Sequence, residues 1–240
     1  MDSVFSLQII AIFLPLGAFV GVIAGMFGVG GGLIIVPALY WVLPTLSLAT
    51  KFPVEKLMHI SIGSSLAIIV LTSISSAWSH YKKQAIDSKA FVWLLPGLLL
   101  GAALSAPLAD SISNYYLKFT FITFELLVAV QMFFAIGVAA NRKLPGSVGT
   151  GVAGGAIGML SGLVGIGGGS LTVPFLSWCN FNIKKAIGTS AACGLPIAVA
   201  GMLGFMWTGS SSHLPAGTTG YIFWPAFIGI SVTSVLFAPL

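Results

Sequence analysis

The sequence predicts an all-α polytopic membrane protein built from two homologous halves. Three observations predict it. Apolar residues make up 57% of the 240-residue chain and charged residues only 6%. Long stretches carry no charge at all, and one glycine-rich string occurs twice. Soluble domains carry about 25% charged residues; ten basic and five acidic side chains cannot clothe a water-facing surface on 240 residues. The composition excludes a soluble enzyme, a nucleic-acid-binding domain and a disordered chain. The net charge of +5 forms no basic stripe. In a membrane protein such an excess belongs in cytoplasmic loops.

The charges divide the chain into spans. Residues 3–50, 57–81, 90–109, 144–183 and 186–240 contain no Asp, Glu, Lys or Arg, and 119–141 contain only Glu125. A helix needs about 20 apolar residues to cross a bilayer. The longest runs therefore hold two passes each, and all are too long and too uniform for barrel strands. Helices are expected at 5–27, 33–48, 57–78, 90–110, 115–139, 148–164, 170–179, 183–207 and 218–239. The connections between them are short and leave no room for a soluble domain. The N-terminus lacks the basic segment of a cleavable signal, its only early charge being Asp2.

The repeat sets the domain plan. Gly21-Val-Ile-Ala-Gly25-Met-Phe-Gly28-Val-Gly30-Gly31-Gly32-Leu-Ile-Ile-Val36-Pro37 returns as Gly158-Met-Leu-Ser-Gly162-Leu-Val-Gly165-Ile-Gly167-Gly168-Gly169-Ser-Leu-Thr-Val173-Pro174, at an offset of 137. Ile62-Gly63-Ser64-Ser65 returns as Ile187-Gly188-Thr189-Ser190 at an offset of 125, and Ala106-Pro107-Leu108 returns as Ala238-Pro239-Leu240. The halves are 1–144 and 145–240. The second is expected to lack its last helix, the counterpart of 115–139.

Three consecutive glycines inside an apolar run favour a helix break. Broken backbone survives at membrane depth only when buried in protein or lining an aqueous cavity. Its free N–H groups and the adjoining helix N-termini can hold an anion without a buried lysine. Gly30, Gly31, Gly32, Gly167, Gly168 and Gly169 are therefore candidate substrate-binding residues. The bland alternative is close helix packing, which suits Gly17, Gly21, Gly25, Gly154, Gly158 and Gly162 better. Ser64, Ser65, Thr189 and Ser190 place hydroxyls in the first turns of a following helix, where they cap backbone or meet the anion. Ser61, Ser65, Thr72 and Ser76 share one helix face, either bonding neighbouring helices or lining a polar path. No lysine follows the glycines, so the string is not a phosphate-binding P-loop.

Glu125 is the one carboxylate within a span, a candidate for proton coupling or a protonated hydrogen-bond donor to a neighbouring helix. His59 and His80 sit beside lysines and read as interfacial. The six tryptophans read as interfacial anchors, with Trp41 and Trp178 at equivalent repeat positions and so also able to wall the site. Cys179 and Cys193 have no histidine at metal spacing and read as packing residues. Neither a metal nor a cofactor is expected, and no nucleotide-binding motif points to an ATP-driven pump. If each glycine-broken pair is a hairpin, seven basic residues (Lys82, Lys83, Lys89, Arg142, Lys143, Lys184 and Lys185) fall on one side and Lys51, Lys56 and Lys118 on the other. The positive-inside rule then orients the halves as inverted repeats with the N-terminus outside.

The doubled GxxGxGGGxxxVP with its following IGTS resembles the sulfite exporter TauE/SafE family of membrane permeases. The basic, histidine-containing Ser79-His80-Tyr81-Lys82-Lys83 and the Ala-Pro-Leu repeats add partial matches, and the likeness covers essentially the whole chain. The first IGTS stands here as IGSS. The resemblance implies a multi-pass protein of the cell membrane that acts as a secondary transporter, and an exporter, of a small sulfur-containing anion such as sulfite, thiosulfate or an organosulfonate. An anion channel is the alternative. An intramembrane hydrolase is a weaker one, because Ser161 in its GMLSGL context has no histidine in mid-span to activate it. No catalytic residue is expected, and the partners are the anion and the lipid bilayer, not nucleic acid.

Overall fold

Helix follows helix along the chain, and the glycine strings and polar loops are where helices end. The structure is a computed structural model that describes residues 7–27, 31–46, 52–133, 143–212 and 214–237. The helices are α1 (Leu7–Phe27), α2 (Gly32–Thr45), α3 (Leu57–Lys82), α4 (Ser88–Ser111), α5 (Asn114–Phe133), α6 (Ser147–Val164), α7 (Gly169–Trp178), α8 (Ile183–Thr208) and α9 (Trp224–Phe237). Strands β1 (Thr218–Thr219) and β2 (Ile222–Phe223) pair antiparallel just before α9. Gly28, Gly30, Lys51, Arg142, His213 and Ala238-Pro239-Leu240 lie outside the described residues. Among boundaries flanked by described residues, two depart from the sequence expectation by four residues or more. α3 continues to Lys82, and α9 begins at Trp224 rather than at 218. The second shift comes from Gly217 and Gly220, whose positive φ angles (86° and 54°) turn the chain into the small hairpin.

Four helical stretches among the described residues are long and apolar enough to cross a membrane: Val54–Lys82, Ser88–Ser111, Ser147–Val164 and Ile183–Ser211. α3 is the most enclosed, with every residue from Leu57 to Ile69 buried. In lipid the hydrophobic effect does not drive helices together, so close packing must. The glycines supply it. α6 lies along α4, with Gly154 against the Leu94 carbonyl, Gly158 against Leu98 and Gly162 against Ser105. From the other side, Gly97 and Gly101 receive the carbonyls of Gly151 and Gly155. α1 lies along α9 in the same manner: Gly17 against Ile230, Gly21 against Ser234, and Gly229 against Phe13. The packing reading of Gly17, Gly21, Gly154, Gly158 and Gly162 thus has a physical basis at each position.

These contacts assign the elements to two ends. At the tyrosine end, named for Tyr221, α3 and α5 begin and α4 and α8 finish: Met58 N–H donates to Asn114 Oδ1 (2.8 Å), and Tyr221 N–H donates to the Phe205 carbonyl (3.2 Å). At the lysine end α3 finishes and α4, α6 and α8 begin, with the Asp87 N–H donating to Thr189 Oγ1 (2.9 Å). α6 enters from the lysine end beside α4, and α7 returns to that end, where α8 starts five residues after Trp178. α1 enters from the tyrosine end beside α9, and α2 returns there, its Tyr40 ring lying 4.8 Å from Nζ of Lys118, the fifth residue of α5. The two broken hairpins enter from opposite ends of the bundle.

Candidate functional site

Both hairpins turn on a glycine in the left-handed region. Gly31 (φ 73°) is the residue before α2, and Gly168 (φ 75°) is the residue before α7; the two occupy the same place in the repeated string. A side chain at either would be strained. α6 itself ends on Gly165 (φ 76°), and the following Ile166 N–H donates back to the Ser161 carbonyl (2.9 Å). The breaks touch. A Cβ on Gly32 would strike the Gly165 carbonyl and lie 2.8 Å from Ile166 Cα and 3.0 Å from Ile69 Cδ1. A Cβ on Gly165 would lie 3.0 Å from Val36 Cγ2 and 3.1 Å from Ile62 Cα. On the far side, Gly194 and Ile197 of α8 press on Gly167 and Gly168. Ile69 and Gly194–Ile197 are the middles of α3 and α8, and Ile62 lies about two turns nearer the start of α3, so the contact between the breaks reaches mid-bundle.

The candidate hydroxyls divide into two kinds. Ser65 donates to the Gly165 carbonyl (2.8 Å), tying α3 to the second break. Ser190 is fully buried without a protein partner, on the α8 face that also carries Gly194 and Ile197. Ser64 and Thr189 point elsewhere. Ser64 Oγ accepts from the Phe223 N–H (2.9 Å), and Thr189 Oγ1 accepts from the Asp87 N–H (2.9 Å). Their preceding glycines do matching work: Gly63 packs on the Tyr221 carbonyl and Gly188 on the Ala85 carbonyl. IGSS and IGTS thus fasten the loop before α9 and the loop before α4. Of the sequence candidates, Gly32 and Ser65 meet the second break at Gly165, next along the chain from Gly167, Gly168 and Gly169; Gly31 precedes Gly32, and Ser190 lies on the face of α8 that presses on Gly167 and Gly168. The structure places Ser64 and Thr189 at the two loops. Ser61 and Thr72 turn back to carbonyls of their own helix, Leu57 and Ile69. Trp41 and Trp178 are exposed near the outer ends of α2 and α7, away from the breaks.

Glu125 is half-buried on α5 and lines a groove of about 460 Å³ with Leu33, the second residue of α2, and with Ile122, Leu126, Val128 and Ala129.

Sequence reasoning missed a polar cluster at the tyrosine end. Lys56 Nζ pairs with Asp110 Oδ1 at 2.9 Å, the Tyr221 hydroxyl donates to the same carboxylate oxygen, and Ser212 Oγ lies 3.1 Å from that hydroxyl. His59, expected at an interface, is fully buried: Nε2 lies 2.9 Å from the Ala109 carbonyl and the ring is 5.2 Å from that of Tyr221. Lys56, His59 and Asp110 line a pocket of about 610 Å³ with residues 111–115. The signal was faint in sequence because Lys56 and His59, Asp110, and Tyr221 come from three distant parts of the chain.

Apolar helices of spanning length, with broken hairpins meeting in mid-bundle, are the architecture of multi-pass membrane transport proteins. The chain belongs to the TauE/SafE family: the family model "Sulfite exporter TauE/SafE" matches residues 13–240. The chain is 37% identical over 225 residues to a "Probable membrane transporter protein" of Haemophilus influenzae, an alignment covering 92% of this chain and 83% of that one. A "Probable membrane transporter protein" of Methanocaldococcus jannaschii is 27% identical over 239 residues, covering 98% and 83% of the two chains. "Probable membrane transporter protein YunE" of Bacillus subtilis is 28% identical over 237 residues, covering 88% and 81%. No solved structure matches the chain. The protein is a multi-pass membrane transporter.

Proposed function

We propose that the protein is a secondary transporter that exports a small sulfur-containing anion, such as sulfite, thiosulfate or an organosulfonate, across the cell membrane, and that it binds its cargo where the two glycine breaks meet. The observation that carries this reading is the start of two half-helices, α2 and α7, at touching breaks in mid-bundle. Helix N-termini and freed N–H groups attract negative charge, and the family's name supplies the sulfur chemistry. No lysine or arginine lies within 3–50 or 144–183, so backbone and hydroxyl donors carry the binding. Each contributes on the order of 1 kcal/mol. A few converging donors give roughly micromolar to millimolar affinity, which suits a carrier that must release its load. Glu125 is the proposed proton-coupling group, since its groove adjoins the start of α2. The halves act as inverted repeats, with the lysine end toward the cytoplasm and the N-terminus outside.

The test is a thermal-shift series on the purified protein with sulfite, thiosulfate, sulfate, sulfoacetate and taurine. Concentration-dependent stabilisation by at least one sulfur anion, lost on Gly168→Val, is expected. A melt that none of the five moves overturns the reading.

A further inference from the structure

We infer that the two breaks are not equal partners: the anion is held by the second alone, with the hydroxyls of Ser161 and Thr172 as its side-chain ligands. The inference rests on the transport reading above and narrows its site. Ser161 and Thr172 are both fully buried, and neither hydroxyl has a hydrogen-bond partner. An unpaired buried hydroxyl is costly, so one such group calls for an explanation and two at one turn point to a shared guest. Both lie close to the same glycine. A Cβ placed on Gly168 would lie 3.5 Å from Thr172 Oγ1 and 3.7 Å from Ser161 Oγ. Ser161 comes from the last turn of α6 and Thr172 from the first turn of α7, so the two arms of one hairpin aim their hydroxyls at its turn.

The surroundings set the sign of the guest. α7 starts here, and Leu171 and Thr172 already donate their N–H groups to the Gly168 carbonyl, while those of Gly169 and Ser170 make no backbone bond among the described residues. A hydroxyl serves an anion or a cation, but the N-terminal end of a helix favours the anion. The Gly165 carbonyl, which would serve a cation, is taken by Ser65. Ile197 Cδ1, 2.5 Å from the Gly168 Cβ position, closes the other side with an apolar wall. A compact oxyanion with several acceptor oxygens matches these donors in chemistry and needs the end of the Ile197 side chain to swing aside to enter; an organic tail would meet that isoleucine.

The repeat shows why the first break differs. At the 137-residue offset, Ser161 corresponds to Ala24, Ser170 to Leu33 and Thr172 to Ile35. Each of these three donors corresponds to a side chain that cannot donate. The first break keeps the fold's geometry, with its left-handed Gly31, and serves as a wall for the second.

Calorimetric titration of sulfite into the purified full chain tests this with Ser161→Ala, Thr172→Val, Thr172→Ser and, in the first half, Ile35→Val. Ser161→Ala and Thr172→Val should each weaken sulfite about tenfold, Thr172→Ser should retain binding, and Ile35→Val should bind as the unmodified protein does. Without ligand, the Thr172→Val melt should be unchanged or higher, because a buried unpaired hydroxyl has been removed. Unaltered sulfite affinity in both Ser161→Ala and Thr172→Val overturns the inference and leaves the transport reading standing. Hydroxyl-dependent stabilisation by sodium ion without sulfite binding also overturns it, since the site is then a cation site. An unmodified protein that binds no sulfur anion overturns the transport reading itself.

Discussion

The two ends of the bundle use one device with different reinforcement. At the tyrosine end, Gly63 packs on the Tyr221 carbonyl and Ser64 Oγ holds the Phe223 N–H. At the lysine end, Gly188 packs on the Ala85 carbonyl and Thr189 Oγ1 holds the Asp87 N–H. The glycine lets a loop lie on a helix, and the next residue's hydroxyl satisfies a loop N–H that would otherwise be left over. The side chains differ. Tyr221 reaches Asp110, which also holds Lys56, and the ring packs beside His59 and Phe205. Ala85 has no side chain with which to reach anything. The shared backbone device secures the fold, and the tyrosine clasp adds a lock at one end only.

The comparison breaks first at the glycines. A valine at Gly63 or Gly188 would drive its Cβ into a loop carbonyl, which is backbone and cannot swing aside. Each should cost about 3 kcal/mol or more, read as loss of folded protein on size exclusion; a normal elution profile for Gly188→Val would show that the lysine-end loop yields freely. Next come Ser64→Ala and Thr189→Val, each orphaning one loop N–H at about 1–3 kcal/mol. Phe223 is fully buried whereas Asp87 is only partly so, and the melting temperature should therefore fall further for Ser64→Ala. Equal falls would erase the distinction between the ends.

Smaller effects sharpen the contrast. Tyr221→Phe and Asp110→Asn should each cost about 1 kcal/mol, because the Lys56–Asp110 pair is partly exposed and weak on its own. The double variant should cost less than the sum, and additivity in a double-mutant cycle would mean that the clasp is not one unit. Glu125→Gln, which touches neither end, should leave the melt unchanged. In proteoliposomes it should abolish the response of flux to a pH gradient while leaving substrate binding intact; a preserved response would return Glu125 to a purely structural role.

The fold was legible because its signals are local. Uncharged runs mark helices, and a glycine triplet marks a break wherever it occurs. The hairpin geometry was legible too, from the lopsided count of lysines it produces. The site was legible only in part. Nothing local distinguishes Ser64, which holds Phe223, from Ser65, which holds Gly165; one step along a helix turns the hydroxyl by about 100° onto a different neighbour. His59 read as interfacial from its proximity to Lys56, yet the helix carries it inward against Ala109, 50 residues away. Ser161 drew notice only as a poor nucleophile. Its correspondence to Ala24 is written in the repeat, but its burial without a hydrogen-bond partner beside Gly168 is visible only in three dimensions.

The uncharged segments around both breaks have an electrical consequence. Residues 3–50 and 144–183 offer no fixed positive charge to travel with or neutralise a passing anion. At the proposed site, an anion that crosses without a proton would move net charge, worth about 2.3 kcal/mol per elementary charge for every 100 mV. A cell whose interior is negative pushes such an anion outward, and a doubly charged one twice as hard. Voltage, the concentration ratio and, through the proposed coupling at Glu125, the pH gradient would then together set the direction of flux through the proposed site.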